Sequence, residues 1–114
     1  MFDYHGKRWE KRREKILRRD GWLCRERKRY GKKKPATHVH HIFPAEEYPQ
    51  YAWCDWNLLS LCLSAHDEMH DRQTGAITER GKEWQRRVEP ERVRWESERN
   101  TPPTSEKSAS TCID

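Results

Sequence analysis

Apolar positions are sparse along the chain, and their spacing changes from one stretch to the next. Over Trp9 to Arg19 (WEKRREKILRR), Trp9 and Ile16 share a face with the stem of Arg12 or Arg13, and the remaining positions hold charged helix formers. That spacing predicts a helix over 9–19, and Asp20-Gly21 is a stop signal after it. Trp22-Leu23-Cys24 reads as a short strand, and a basic loop over 25–34 follows, closed by Pro35. Thr37 to Phe43 (THVHHIF) is rich in β-branched and aromatic residues and reads as a strand. The two strands are expected to pair as a long antiparallel hairpin.

Pro44 ends the second strand, and 45–55, with Pro49 and several aromatics, reads as an ordered, non-repetitive loop. Trp56 to Leu63 (WNLLSLCL) is apolar enough to be buried. Ser64 to His70 (SAHDEMH) looks like the start of a helix, with Ser64 as cap and Asp67 three residues later. Gly75 interrupts it. A last amphipathic segment, Glu79 to Trp95, carries Trp84, Val88 and Trp95 and is divided by Pro90. From Ser97 the composition is that of a disordered tail. The expectation is therefore an α+β fold with one domain over 1–96, containing a strand–loop–helix unit at about 36–72, and a flexible tail over 97–114.

Composition narrows the class. With 114 residues, 32% hydrophobic and 38% charged, the chain supports one small core and excludes a multi-domain enzyme. Six tryptophans strengthen that core, since each buries a large apolar area. No stretch approaches the ~20 apolar residues of a membrane helix, so a cytoplasmic protein without membrane contact is expected. Four cysteines in a reducing compartment argue against a disulfide framework.

Charge is unevenly placed. The formal net charge is +5, yet Lys7 to Lys34 alone holds 15 basic and 4 acidic residues. A basic first quarter on an otherwise mildly acidic chain points to a polyanion partner touching one region. A solvated helix face would produce the same count.

Five of the six histidines lie between residues 38 and 70. His66 and His70, four apart in an expected helix, can project from one face with Cβ atoms ~6 Å apart, a spacing that suits two imidazoles on one divalent ion. The His40-His41 pair is the obvious source of a third ligand. A structural zinc is less attractive, because such sites favour closed sets that include cysteine.

VHHIFP at 39–44, Asn57 in WNLLSLC and AHDEMH at 65–70 together resemble the HNH endonucleases, whose catalytic unit is a ββα-metal motif. WEKRREKILRRDGWLC upstream and YPQYAWCDWNLLSLC between strand and helix fit as well. The resemblance covers roughly Trp9 to Arg72 and is nearest to the small single-domain type often encoded by phages and prophages. It implies that His40, His66 and His70 hold one divalent metal (Mn, Ni, Co, Zn or Mg), that His41 is the general base, and that Asn57 orients the loop or the base. His40 stands where many relatives carry Asp, and many relatives lack a histidine at the position of His70. Many relatives also hold a structural zinc on two CxxC pairs. Here those positions read Cys24-Arg-Glu-Arg27 and Cys62-Leu-Ser-Ala65, each keeping only its first cysteine. No four-cysteine zinc is therefore expected; Trp22, Leu59 and Leu61 would share the clamping.

The activity implied is metal-dependent hydrolysis of DNA phosphodiesters, nicking duplex one strand at a time with low sequence specificity. Lys11, Arg12, Lys15, Arg18 and Arg19 on the helix, Arg27, Lys28, Arg29, Lys32, Lys33 and Lys34 in the basic loop, and Arg72 beyond His70 are the candidate phosphate contacts. Expected partners are double-stranded DNA and, as in some phage relatives, a large packaging enzyme, with the chain a monomer or weak dimer. The competing reading is a non-catalytic DNA-binding or packaging accessory module; a third is a structural metal-binding interaction domain.

Overall fold

The computed structural model describes residues 2–99, so the expected tail lies outside the described residues from 100 onward. Helix α1 spans Lys7–Arg19 and buries Trp9, Arg12, Ile16 and Leu17. Its last turn carries Arg18 and Arg19, cations that suit the negative end of the helix dipole. It ends in a paired turn: Gly21 N–H bonds the Arg18 carbonyl at 3.1 Å and Trp22 N–H bonds the Leu17 carbonyl at 2.8 Å. Gly21 takes the left-handed backbone this ending requires, with φ of 67°.

The expected strand at 22–24 shrinks to a single bridge between Leu23 and Pro35. A one-turn helix α2, Arg25–Lys28, follows. Strand β1, His38–His41, pairs instead with β2, Leu58–Leu61, antiparallel from His38 opposite Leu61 to His41 opposite Leu58. The reason lies in what each candidate can bury. Trp22 has a positive φ of 61° that breaks extended backbone, whereas all four residues of β2 are buried. β2 packs on α1 and α2, so both of its faces find cover.

The segment joining the strands contains two 3-10 turns, Pro49–Tyr51 and Asp55–Asn57. Helix α3, Leu63–Asp67, is capped at Cys62, two residues earlier than expected, and His70 lies beyond its end in a bridge with Ile77. Helix α4 spans Glu79–Arg87, with Thr78 as cap accepting from Gly81 N–H. Helix α5 spans Glu89–Arg99. Pro90 sits in its first turn, where the missing N–H costs nothing. The helix runs three residues past the expected domain boundary.

Two apolar clusters result. The larger gathers Ile42, Phe43, Tyr51, Leu59, Leu61, Met69, Trp84 and Trp95, with Cys24 and Cys62 inside it. The smaller holds Trp9, Ile16 and Leu58, with Phe2, Val39 and Trp53 against them. Of the three residues expected to share the clamping of hairpin to helix, Leu59 and Leu61 are buried in the larger cluster, whereas Trp22 belongs to neither and is half exposed. Ions join α2 to α3 and α4. Arg27 grips Glu68 through two hydrogen bonds of 2.8 and 3.1 Å and reaches Ser64 at 3.1 Å. Glu26, fully buried, bonds Trp84 Nε1 at 2.7 Å, Arg29 at 3.1 Å and Arg80. Arg29 continues to Glu83 at 2.7 Å. Beneath this network Cys24 and Cys62 are buried free thiols.

Candidate active site

On a strand, alternate residues face opposite ways, and β1 uses both faces. His38 and His40 point toward α3; Val39 and His41 point toward α1. On the first face the ring centres of His40 and His66 lie 5.5 Å apart, those of His40 and His70 5.2 Å, and those of His66 and His70 6.1 Å. Three imidazoles sharing one ion at ~2.0–2.1 Å have ring centres roughly 5 Å apart, so the spacing fits a common ligand. His40 Nε2 is buried with no hydrogen-bond partner. A buried polar nitrogen left unpaired at the middle of an imidazole cluster is the signature of a missing acceptor or ion. Among the described residues no three side chains form a finished metal cage; the spacing and the orphaned nitrogen carry the fit.

Electrostatics agree with that chemistry. Burial pushes the His40 imidazole well below the usual histidine range, with His66, His70 and His41 adding to the effect. Burial also lowers His66 and His70. All three are neutral at physiological pH and offer lone pairs, as metal ligands must. His38 stacks on His66 with ring centres 5.3 Å apart and bonds Thr37 Oγ1 at 2.7 Å, closing the outer side of the cluster.

His41 sits in an aromatic box. Its ring stacks on Trp9 at 5.3 Å and meets Phe2 at 4.8 Å edge-on. Nε2 lies 3.0 Å from the Ala52 carbonyl, which can only accept, so Nε2 carries the proton. The lone pair is therefore on Nδ1, where the Tyr4 hydroxyl donates from 3.3 Å. Burial lowers this imidazole too, outweighing the opposite effect of the Ala52 carbonyl.

Asn57 does not touch His41; it holds the segment that does. Its Oδ1 accepts from Phe43 N–H at 2.7 Å, and its Nδ2 donates to the Phe43 and Tyr51 carbonyls, each at 3.1 Å. Both ends of loop 43–51 are thereby stapled, and the next carbonyl, that of Ala52, faces the imidazole.

A cleft of about 890 Å³ brings the two faces of β1 together, with His38, His40, His41, His66 and His70 all on its wall. Tyr4, Trp9, Glu46, Glu47, Tyr48 and Gln85 also line it, and Arg13 is the one Lys or Arg side chain among the lining residues. Arg13 anchors one guanidinium nitrogen on the Thr37 carbonyl at 2.8 Å. Sequence reasoning passed over Arg13 as a site residue, although it lies one turn after Trp9 on the same helix face.

The expected phosphate contacts divide sharply. Arg12 is 7% exposed and bonded to the Trp53 carbonyl and Asp55. Arg27 and Arg29 are spent on Glu68, Glu26 and Glu83. Arg19 serves Asp20 and the Asp55 and Leu58 carbonyls. Lys15 pairs with Asp55 and Arg18 with Glu14, both from exposed positions. Lys28, Lys32, Lys33, Lys34 and Arg72 are exposed, with no ion-pair partner among the described residues.

A two-stranded antiparallel hairpin followed by a short helix, with histidines of strand and helix converging beside a cleft, is the ββα-metal arrangement. The chain matches the crystal structure of the deep-sea thermophilic bacteriophage GVE2 HNH endonuclease with manganese ion, at 33% sequence identity and a TM-score of 0.55. The match covers 56% of this chain and 70% of that one. No protein-family model matches the sequence, and neither does any curated protein. On that likeness the chain belongs to the HNH endonuclease family. Among the described residues no helix is long and apolar enough to cross a membrane.

Proposed function

We propose that this protein is a metal-dependent DNA endonuclease that nicks duplex DNA one strand at a time with low sequence specificity. One observation carries the reading: neutral His40, His66 and His70 converge around an orphaned Nε2, while the ring of His41 turns away and presents its Nδ1 lone pair to the Tyr4 hydroxyl on the wall of the same cleft. The manganese ion of the phage GVE2 structure supports a divalent metal. His40, His66 and His70 would hold that ion, which when bound supplies positive charge to the scissile phosphate and the departing oxygen. Three neutral ligands favour Mn, Co, Ni or Zn over Mg, which prefers oxygen.

The remaining steps belong to the chain. His41 accepts a proton from the attacking water at Nδ1, where the water takes the place of the Tyr4 hydroxyl, and the Ala52 carbonyl steadies the imidazolium through Nε2–H. Asn57 keeps that carbonyl in place. Arg13 contacts a phosphate oxygen inside the cleft. Outside it, Lys15, Arg18, Lys28, Lys32, Lys33, Lys34 and Arg72 position the duplex without reading bases.

The test is nicking of supercoiled plasmid in manganese by the parent and by His41→Ala. Loss of nicking with DNA and metal binding retained supports the assignment. A parent that binds DNA but never nicks across a panel of metals would establish the accessory-module reading instead, and equal nicking by the variant would remove His41 from the role of base.

A further inference from the structure

The turn over 20–35 carries a side chain that neither core uses. Trp22 is 47% exposed, belongs to no apolar cluster and makes no ring or cation contact among the described residues. Its backbone stands at φ 61°, a conformation unfavourable for a bulky side chain. The helix ending explains an apolar residue at this position, because such turns favour contact with the third residue from the helix end, here Leu17. A leucine would meet that need. An indole whose ring half faces solvent, on unfavourable backbone, calls for a different reason.

Its surroundings supply one. The Trp22 carbonyl accepts from Ala36 N–H at 2.8 Å, and Cys24 N–H bonds the Lys34 carbonyl at 2.7 Å. The Lys32–Lys34 run is therefore laced alongside Trp22, and Lys28 is exposed one helical turn before it. None of these lysines has an ion-pair partner among the described residues. An open aromatic face beside an unneutralised basic run fits a nucleic-acid strand whose bases are free to stack. Lysines alone would serve a duplex; a flat ring adds nothing to a duplex whose base faces are already covered.

We infer that Trp22, with Lys32, Lys33 and Lys34, forms a second nucleic-acid contact that stacks an unpaired base, so that the protein favours DNA with single-stranded character. This deepens the nuclease reading and takes the chemistry of the partner from it, but it does not depend on cleavage.

The test therefore measures binding with metal chelated. Fluorescence anisotropy compares a labelled single-stranded oligonucleotide with the corresponding duplex, for the parent, Trp22→Leu, Trp22→Phe and a Lys32→Gln/Lys33→Gln/Lys34→Gln variant. Trp22→Leu, which keeps an apolar side chain at this helix ending, is expected to weaken single-strand binding about 5- to 150-fold, the usual loss of one stacked base. Its duplex affinity should change less than about twofold, and Trp22→Phe should retain most single-strand affinity. The lysine variant should weaken both DNAs and flatten their salt dependence. Unchanged single-strand binding by Trp22→Leu would overturn the inference, as would equal loss on both DNAs. Circular dichroism of each variant guards against a folding defect, with Trp22→Phe as the second probe. Failure of the nuclease reading would instead appear as absent plasmid nicking, a separate measurement.

Discussion

Replacing Asn57 with alanine tests how the base is aimed. The side chain is fully buried and makes three hydrogen bonds, one from Phe43 N–H and two to the Phe43 and Tyr51 carbonyls. Each such bond contributes about 1 kcal/mol net, and its buried partners lose more if no water replaces it. The substitution should therefore cost about 3 kcal/mol, against a total of roughly 5–15 kcal/mol for a domain. Since 1 kcal/mol moves Tm by about 4–8 °C at this size, a fall of roughly 12–24 °C is expected, with the protein still folded at room temperature. Chemical denaturation and thermal melts measure this part. The functional part is a double-mutant cycle on plasmid nicking at a temperature where every variant is folded. Asn57→Ala should slow nicking in the parent background and add nothing once His41 is alanine, because both changes disable one unit. Additive losses, or a stability change below about 1 kcal/mol, would refute the chain of contacts from Asn57 through the loop and Ala52 to His41.

Four further outcomes follow from the same geometry. Glu26→Leu leaves Arg29, Arg80 and Trp84 Nε1 without their buried acceptor and should cost about 3 kcal/mol, the low end for a broken buried ion pair because both arginines reach solvent; urea unfolding within about 0.5 kcal/mol of the parent would show that the network does not hold α2 to α4. Arg12→Ala should destabilise by about 2 kcal/mol yet leave the salt dependence of DNA binding unchanged, whereas Lys33→Gln should leave stability within about 0.5 kcal/mol and reduce the salt slope by about one; the reverse pattern would restore Arg12 as a phosphate contact. Because burial lowers His41, the rate should stay level as pH falls through the ordinary histidine value of ~6.5 and decline only below it. The same sign governs folding of the metal-free protein: below ~6.5 the unfolded chain takes up protons that buried His40 refuses, so stability is full above that pH and is lost as pH falls toward the folded-state value. Denaturant midpoints that rise on acidification in chelator would contradict it.

Where local pattern carries the information, the sequence was legible. The face shared by Trp9 and Ile16 predicts α1, the β-branched run around Val39 predicts β1, and Pro90, which divides the last amphipathic segment, falls in the first turn of α5. The histidines that converge were identifiable from their spacing and from the resemblance carried by VHHIFP and AHDEMH. Their convergence itself required the fold, since His70 reaches the cluster from a bridge with Ile77 and not from the helix its spacing suggested.

By itself, then, the sequence determined which residue types were available and which short elements they could form, because side-chain period and turn chemistry act over a few residues. Only the tertiary structure decided which strand pairs with β1, which carbonyl steadies His41, and which arginines are left for a phosphate. Those outcomes rest on competition among distant groups. Leu58–Leu61 displaces Trp22–Cys24 because it can be covered on both faces. Arg12, Arg27 and Arg29 turn inward because Asp55, Glu68 and Glu26, far off in sequence or in the next turn, hold the charges that desolvation obliges them to meet.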